Sequence, residues 1–481
     1  MPAKPRLSGS CVHHTDCPRN NAVTPRETVL NATRSLCPVC LRRIPAWNVR
    51  RGDNVYLVKQ CPDHGRFRTV IWRGEPAYET WGYPHAVSGP DVCATSRREG
   101  CPFDCGLCPE HRTAPCAVLL EVTSRCNLRC PVCFADAGST GAPDPGLDLL
   151  ERQYRSLLAQ AGPCNVQLSG GEPTLRDDLP DIVALGRRLG FDFIQINTNG
   201  LRLASDPEYV RRLKEAGLAC AFLQCDGLTD GVFLKLRGQP LLRIKEAAID
   251  HCAAHGIGVV LAATLVPGVN TDQIGALAEY ALRRVPQVRG LHLQPIGYLG
   301  RYPGPPTDED RLTLPEIIRA LEEQTSGRLR ASCFLPPAGE NAHCSFHANI
   351  AVLQDGSLQP WVSDPASYYR SKAAPDRDGS RHARHFMARQ WRAANAVPAC
   401  ARVTEEALSG DGLDDLLERM RSHTLSISAM AFQDIWNLDL NRLRDCHIGT
   451  VGADGRIIPF CAYNLTSLAG HSLYRNAENP L

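Results

Sequence analysis

The 481-residue sequence has no long apolar run. Its longest, "GIGVVLAATLVPGV" from Gly256 to Val269, is shorter than the roughly 20 residues a bilayer-crossing helix takes. It reads as a buried strand instead. A charge excess is missing too. The formal net charge is +2, which argues against a protein held to nucleic acid by its overall field. The opening stretch "MPAKPRLSGS" lacks the apolar core of a secretion signal. The expectation is a cytoplasmic protein with no transmembrane segment and no nucleic-acid partner, any membrane contact being peripheral. The length calls for two or three domains.

Cysteine is abundant, at 22 residues. In a reducing compartment that count points to metal rather than disulfides, and the short spacings agree. In residues 1–90, "CPVC" (Cys37, Cys40) is followed by "CPDHG" (Cys61, His64). The strand-like stretches "NVYLVKQ" and "RFRTVIW" flank the second pair. Two metal knuckles joined by strands make a rubredoxin- or zinc-ribbon-like unit for one mononuclear iron or zinc. The fourth ligand is open between His64, Cys93 and one of Cys11 and Cys17.

Next come two copies of Cys-x3-Cys-x2-Cys: Cys101, Cys105 and Cys108 within 91–116, then Cys126, Cys130 and Cys133. A [4Fe–4S] cubane normally takes four thiolates. Three leave one iron open to a bidentate amino-acid ligand such as the methionine end of S-adenosylmethionine. Context separates the copies. Residues 117–310 alternate apolar strands with helices: "AVLLEVT", "NVQLSGG", "FIQINTNG", "AFLQCDG", "GVVLAATLVP" and "GLHLQPIG". That pattern implies right-handed βαβ units curling into a partial six-stranded α/β barrel. Its site belongs at the carboxyl ends of the strands, where Cys126, Gly170, Asn197, Asp226 and Gln294 fall. The second triplet follows the first barrel strand directly; the first triplet has no strand before it and reads as an appendage. In "QLSGGEPT", Gly170 and Gly171 would let a ligand approach the backbone, and Glu172 offers a carboxylate near an amino group. Cys164, Cys220, Cys252 and Cys225 read as buried small residues.

Residues 311–481 carry an internal echo. "DGSLQPWV" (355–362) and "DGRIIPFC" (454–461) each give an Asp-Gly turn, a short strand and Pro-aromatic. Each follows a cysteine, Cys344 and Cys446, and the second copy ends in Cys461. These three suggest an auxiliary iron–sulfur domain, with Cys333 or Cys400 completing the set. The first triplet could be completed by Cys116, Cys93 or a C-terminal cysteine. The basic stretch "RSKAAPDRDGSRHARHFMARQWR" reads as a solvated face.

The triplet after strand one, with Gly-Gly-Glu-Pro after strand two, resembles the radical S-adenosylmethionine superfamily over roughly residues 117–300. The resemblance implies a TIM-like radical SAM barrel and cleavage of S-adenosylmethionine to a 5′-deoxyadenosyl radical. It implies that Cys126, Cys130 and Cys133 hold the catalytic [4Fe–4S] cluster. Ser169, Gly170, Gly171 and Glu172 would then hold the methionine end, with Asn197, Thr198 and Asn199 beside the cofactor. One or two auxiliary [4Fe–4S] clusters and a ferredoxin- or flavodoxin-like electron donor are implied too. The arrangement outside the barrel is similar to the branch of the archaeal tetraether lipid synthases and class E methylases of a pterin precursor. The expectation is carbon–carbon bond formation between lipid tails; candidates to line the apolar channel this needs are the barrel mouth and the segments "ISAMAFQDIWNLDL" and "AYNLTSLAGHSLY", which read equally as core. Methylation of a pterin or other heterocyclic small molecule is the alternative.

Overall fold

The computed structural model describes residues 27–82, 89–90, 92–139, 141–337, 339–362, 379–394 and 413–475. Cys11, Cys17 and Cys400 lie outside the described residues.

Four antiparallel strands come first: β1 (Glu27–Leu36), β2 (Arg43–Arg51), β3 (Asn54–Cys61) and β4 (Gly65–Arg73), in the order β1-β2-β3-β4. The tight links between them carry the two metal knuckles, because Cys37 and Cys40 follow β1 while Cys61 and His64 bound the β3–β4 turn.

The six expected barrel strands all form: β5 (Ala117–Thr123), β6 (Asn165–Gly170), β7 (Ile194–Thr198), β8 (Cys220–Gln224), β9 (Gly258–Leu265) and β10 (Val288–Pro295). They lie side by side in chain order and run parallel. Helices α1 (Leu147–Ala161), α2 (Leu179–Arg188), α3 (Leu201–Ser205), α4 (Pro207–Glu215), α5 (Asp230–Arg237), α6 (Leu242–Ala254), α7 (Ile274–Arg283) and α8 (Leu314–Gln324) occur in the crossovers and after β10. Alternate strand residues divide the work. Val166, Leu168, Ile194 and Ile196 join the core packed with the helices, while Gln167, Ser169, Gln195 and Asn197 face the barrel interior.

Among the described residues, the C-terminal region does not build a sheet of its own. Strands β11 (Ser345–Val352), β12 (Leu358–Pro360) and β13 (Thr424–Met430) extend the barrel sheet beyond β10, and β14 (Ile448–Val451) and β15 (Ile457–Pro459) extend it beyond β5. β13 runs parallel to β10, and β14 parallel to β5. The described strands of 311–481 therefore share one sheet with the barrel rather than standing apart. The internal echo is real in space: the hairpins β11–β12 and β14–β15 lie at opposite edges of the sheet. Each turn uses its Asp in the same way. Asp355 Oδ1 accepts from Ser357 N and Asp454 Oδ1 from Arg456 N, and the following glycine has φ of +80° and +82° respectively. Only glycine adopts that conformation at little cost.

Two readings of the sequence are refined. The segments offered as channel lining divide: Ser428, Ala429, Met430 and Phe432 face the barrel interior, while Ile435, Leu438, Leu440, Ala462 and Leu465 are core, packed with Leu36 and Leu41 of the ribbon. The basic stretch is not simply a solvated face. Its helix Gly379–Gln390 caps the amino ends of the barrel strands: Asn165 Nδ2 donates to Arg384 O, and Arg289 Nε donates to Gln390 O. Among the described residues, no helix is long and apolar enough to cross a membrane.

Candidate active site and metal centres

In the ribbon, the ligand atoms of Cys37, Cys40, Cys61 and His64 lie within 4.8 Å of one another. His64 Nδ1 is 3.4 Å from Cys61 Sγ and 3.6 Å from Cys37 Sγ. The open choice of fourth ligand thus falls on His64. Three sulfurs and one imidazole nitrogen around a common point fit a tetrahedral mononuclear ion. Cys93 is exposed.

The loop after β5 carries Cys126, Cys130 and Cys133, all half-buried and all facing one interior cavity of about 1290 Å³. The turn after β6 lies against this loop. Gly171 N donates to Thr123 O at 2.8 Å and Glu172 N to Arg125 O at 2.8 Å. A Cβ at Gly170 would stand 2.1 Å from Thr123 O, and one at Gly171 2.0 Å from Arg125 O. On the side a Cβ would occupy the two glycines therefore admit the chain's own cysteine loop, and both also line the cavity. Glu172 differs from expectation as well. Its carboxylate is 2% exposed and already engaged. Oε1 accepts from Thr174 N, Thr174 Oγ1 and Thr198 Oγ1, and Oε2 accepts from Asn199 N at 2.7 Å. Burial raises its pKa, against the pull of these donors. Glu172 braces the ends of β6 and β7 rather than offering a free carboxylate.

Ser169, Asn197, Thr198 and Asn199 line the cavity as expected. Asn197 Nδ2 donates to Ser169 Oγ, and Asn197 Oδ1 accepts from Gln167 Nε2. Asn199 Nδ2 donates to Asn127 Oδ1 at 2.7 Å, tying β7 to the cysteine loop.

Several residues at the site carried no readable signal. Arg237, from α5, is buried and pairs with Asp226 through two contacts of 2.8 and 2.7 Å. Despite burial, the Asp226 charge and a bond to Cys130 hold it firmly protonated. It places a cation beside the thiols. Arg301 donates to Cys130 O and to Asp136, while its backbone exchanges two hydrogen bonds with Cys133. Burial pushes the Cys126 thiol up to about 11, with Glu172 and the other two cysteines adding to the shift. Three thiols facing one open cavity, with a guanidinium adjacent, fit an anionic cluster with one reachable iron.

The first triplet is built differently. Cys101, Cys105 and Cys108 are only 4–6% exposed, and Glu110, His111 and Arg444 line the small hollow between them. Tyr474 Oη donates to Pro102 O and accepts from Cys105 N. Cys344, Cys446 and Cys461 do come together. The Cys461 thiol bonds to Cys446 and pulls it down to about 7. Gln433 N donates to Cys461 Sγ, and Arg442 donates to Cys344 Sγ. Burial works against charge on neighbouring His447, but the Cys116 and Glu340 charges raise it to about 10. Cys116 N donates to His447 O, so Cys116 sits beside this group. Cys333 lies in the turn Ala331–Cys333 near Glu322. Cys164, Cys220, Cys225 and Cys252 are buried, as expected of packing residues.

With the geometry established, comparison with known proteins can be read against it. The family model described as the radical SAM superfamily matches residues 120–281. The model described as the HMPTM N-terminal zinc ribbon domain matches residues 29–73. A 7,8-dihydro-6-hydroxymethylpterin dimethyltransferase from Methanocaldococcus jannaschii is 33% identical over 470 residues, covering 90% of this chain and 93% of that protein. A GTP 3',8-cyclase from Corynebacterium glutamicum is 32% identical over 214 residues, 43% of this chain and 55% of that protein. Among solved structures, Streptococcus suis SuiB bound to precursor peptide SuiA is similar over 45% of this chain and 46% of that chain, at 19% identity and a TM-score of 0.36.

Proposed function

The chain belongs to the radical SAM superfamily and, within it, to the family of the pterin dimethyltransferase that it matches over nine-tenths of its length; from that premise we propose that it methylates a pterin or a closely related neutral heterocycle. The observation that carries this reading is the extent of that match, 33% identity over 90% of this chain and 93% of the relative. The cavity wall is mixed: Gln167, Gln195, Asn197, Gln224, His292 and Ser428 give it polar groups that can meet the donors and acceptors of a ring, among apolar residues such as Phe222, Phe346, Trp391 and Phe460. The sequence reading favoured lipid coupling; the relative favours its alternative.

Cys126, Cys130 and Cys133 would hold the catalytic [4Fe–4S] cluster. The chemistry it supplies when bound is one-electron cleavage of S-adenosylmethionine to methionine and a hydrogen-abstracting 5′-deoxyadenosyl radical; the methionine so formed keeps its methyl, so the transferred methyl comes from a second donor molecule. The residues of the chain do the rest. Gly170 and Gly171 let the cysteine loop seat on the β6 turn. Glu172 locks that turn to β7, and Arg237 offsets negative charge at Cys130. Ser169, the backbone of 170–172 and the polar groups of 197–199 would bind S-adenosylmethionine.

Cys344, Cys446 and Cys461, with Cys116, would hold one auxiliary cluster, and Cys101, Cys105 and Cys108 another. Cys116 then serves the C-terminal set, where the sequence offered Cys333 or Cys400. The Cys₃His set of the ribbon suits zinc. A ferredoxin- or flavodoxin-like protein would supply electrons.

The test is anaerobic turnover of the iron-reconstituted, reduced protein with S-adenosylmethionine and 6-hydroxymethyl-7,8-dihydropterin, reading 5′-deoxyadenosine and pterin mass. A methylated pterin is the expected product. Tail-coupled lipid from a diether, with the pterin untouched, would sink this reading.

A further inference from the structure

One stretch of the cavity wall joins the two cysteine sets. Phe134 follows Cys133 in the loop after β5, and Phe460 precedes Cys461. Their ring centroids lie 5.3 Å apart, and the Phe432 ring lies 4.5 Å from that of Phe460. Phe432 in turn precedes Gln433, whose N–H donates to Cys461 Sγ. All three rings line the cavity. They pack with Leu119, Leu299 and Ile448. An aromatic wall therefore runs from the open triplet to the C-terminal cysteines.

Beside this wall stands a carboxylate. Among the described residues that line the cavity, only Glu172 and Glu340 carry one. Glu172 is engaged by four donors of the fold itself and is 2% exposed. Glu340 is held differently. Its Oε1 accepts from Ser345 Oγ, at the start of β11. Its Oε2 lies 3.2 Å from Nδ1 of His447, the residue before Ile448 and β14. Elements near the two opposite edges of the sheet thus orient one side chain. That side chain keeps 8% of its surface exposed. An ionised carboxylate has about four acceptor sites, so the two partners leave Glu340 capacity for a ligand in the cavity.

The two features fit one class of ligand. Aromatic faces accept a planar ring. The two oxygens of a carboxylate accept a pair of parallel N–H groups, and such charge-assisted bonds are strong. A ring N–H beside an amino group presents that pair, as the 2-amino-4-oxopyrimidine edge of a pterin does. A hydrocarbon tail has nothing to offer Glu340.

We propose that the heterocycle sits between the open triplet and the C-terminal cysteine set, its face on the wall of Phe134, Phe432 and Phe460, and that Glu340 is the specificity-determining residue, accepting from the amino and ring N–H groups of its edge. This deepens the reading of the barrel as a heterocycle site and rests on it. Ser345 and His447 are then positioning residues for the Glu340 carboxylate.

The experiment uses the full-length, reconstituted protein and its Glu340→Gln and Phe432→Leu variants. Anaerobic equilibrium dialysis measures binding of 6-hydroxymethyl-7,8-dihydropterin and of the same ring lacking its 2-amino group. Iron content and Tm are read in parallel, because His447 also bonds to Cys116. The wild-type protein should prefer the intact ring. Glu340→Gln keeps the side-chain shape but replaces one acceptor oxygen with a donor. It should bind the intact ring at least about 10-fold more weakly, the scale of one lost bond to a charged group. The preference between rings should shrink, with iron content and Tm close to wild type. Phe432→Leu should weaken both rings by a similar factor and leave the preference intact. If Glu340→Gln keeps the wild-type affinity and preference, this inference fails and the heterocycle reading stands. If it loses iron together with binding, Glu340 supports the C-terminal cysteines instead and the inference also fails. If Phe432→Leu binds both rings as well as wild type does, the proposed placement of the ring fails. If the wild-type protein cleaves S-adenosylmethionine but binds neither ring, the heterocycle reading fails and takes the inference with it.

Discussion

The two Cys-x3-Cys-x2-Cys triplets have the same spacing and different surroundings. Cys101, Cys105 and Cys108 are buried, with Cys101 and Cys105 packed among apolar residues such as Leu36, Leu438 and Ile458, and with Tyr474 bonded over them. Cys126, Cys130 and Cys133 are half-buried around a cavity of about 1290 Å³, with Arg237 beside them. Spacing decides whether thiols can share a cluster. Access decides whether that cluster can meet a substrate. The sealed triplet is suited to a structural or electron-carrying role, the open one to chemistry.

The sharpest way to break this comparison is Cys130→Ala. The open triplet then has two ligands, and 5′-deoxyadenosine formation by the reduced protein should be abolished; full activity would end the assignment. Gly171→Ala comes next. Its Cβ would stand 2.0 Å from Arg125 O, so the cysteine loop must shift. Deoxyadenosine formation should fall roughly 100-fold, the scale expected when a catalytic group is displaced by about 1 Å. The sealed triplet should respond differently. Cys105→Ala is expected to remove about four iron atoms per chain while leaving measurable cleavage of S-adenosylmethionine. A result matching Cys130→Ala would erase the distinction between the copies. His64→Ala should lower zinc content and Tm but leave the cleavage reaction in place, since none of the four ribbon ligands lines the cavity; metal analysis alongside calorimetry checks it.

The smallest effect concerns pH. Burial holds His292 at about 4, against an ordinary value near 6.5. Between those values the unfolded chain binds a proton that the folded chain refuses. Stability is therefore full above about 6.5 and is lost as pH falls toward 4. His292→Gln should flatten the decline in Tm over that window. An unchanged slope would mean that His292 does not contribute to it.

Much of this molecule follows from sequence because the relevant signals are local. The six strands, the strand-end position of Cys126 and the turn at Gly170–Glu172 each lie within a few residues of their own pattern. A triplet confined to eight residues is held close by the chain itself. The Asp-Gly turns of the C-terminal echo are legible for the same reason.

What tertiary structure alone decided involves distance along the chain. Cys344 meets Cys446 and Cys461 because strands from 311–481 add to both edges of the barrel sheet. Parallel pairing of that kind leaves no turn signature to read. Arg237 reaches Cys130 only once α5 is docked. The glycines of the β6 turn face the chain's own backbone, a contact no spacing predicts. The sequence determined which thiols could bind metal. Packing decided which of them face a cavity, because access depends on what the folded chain places in front of each thiol.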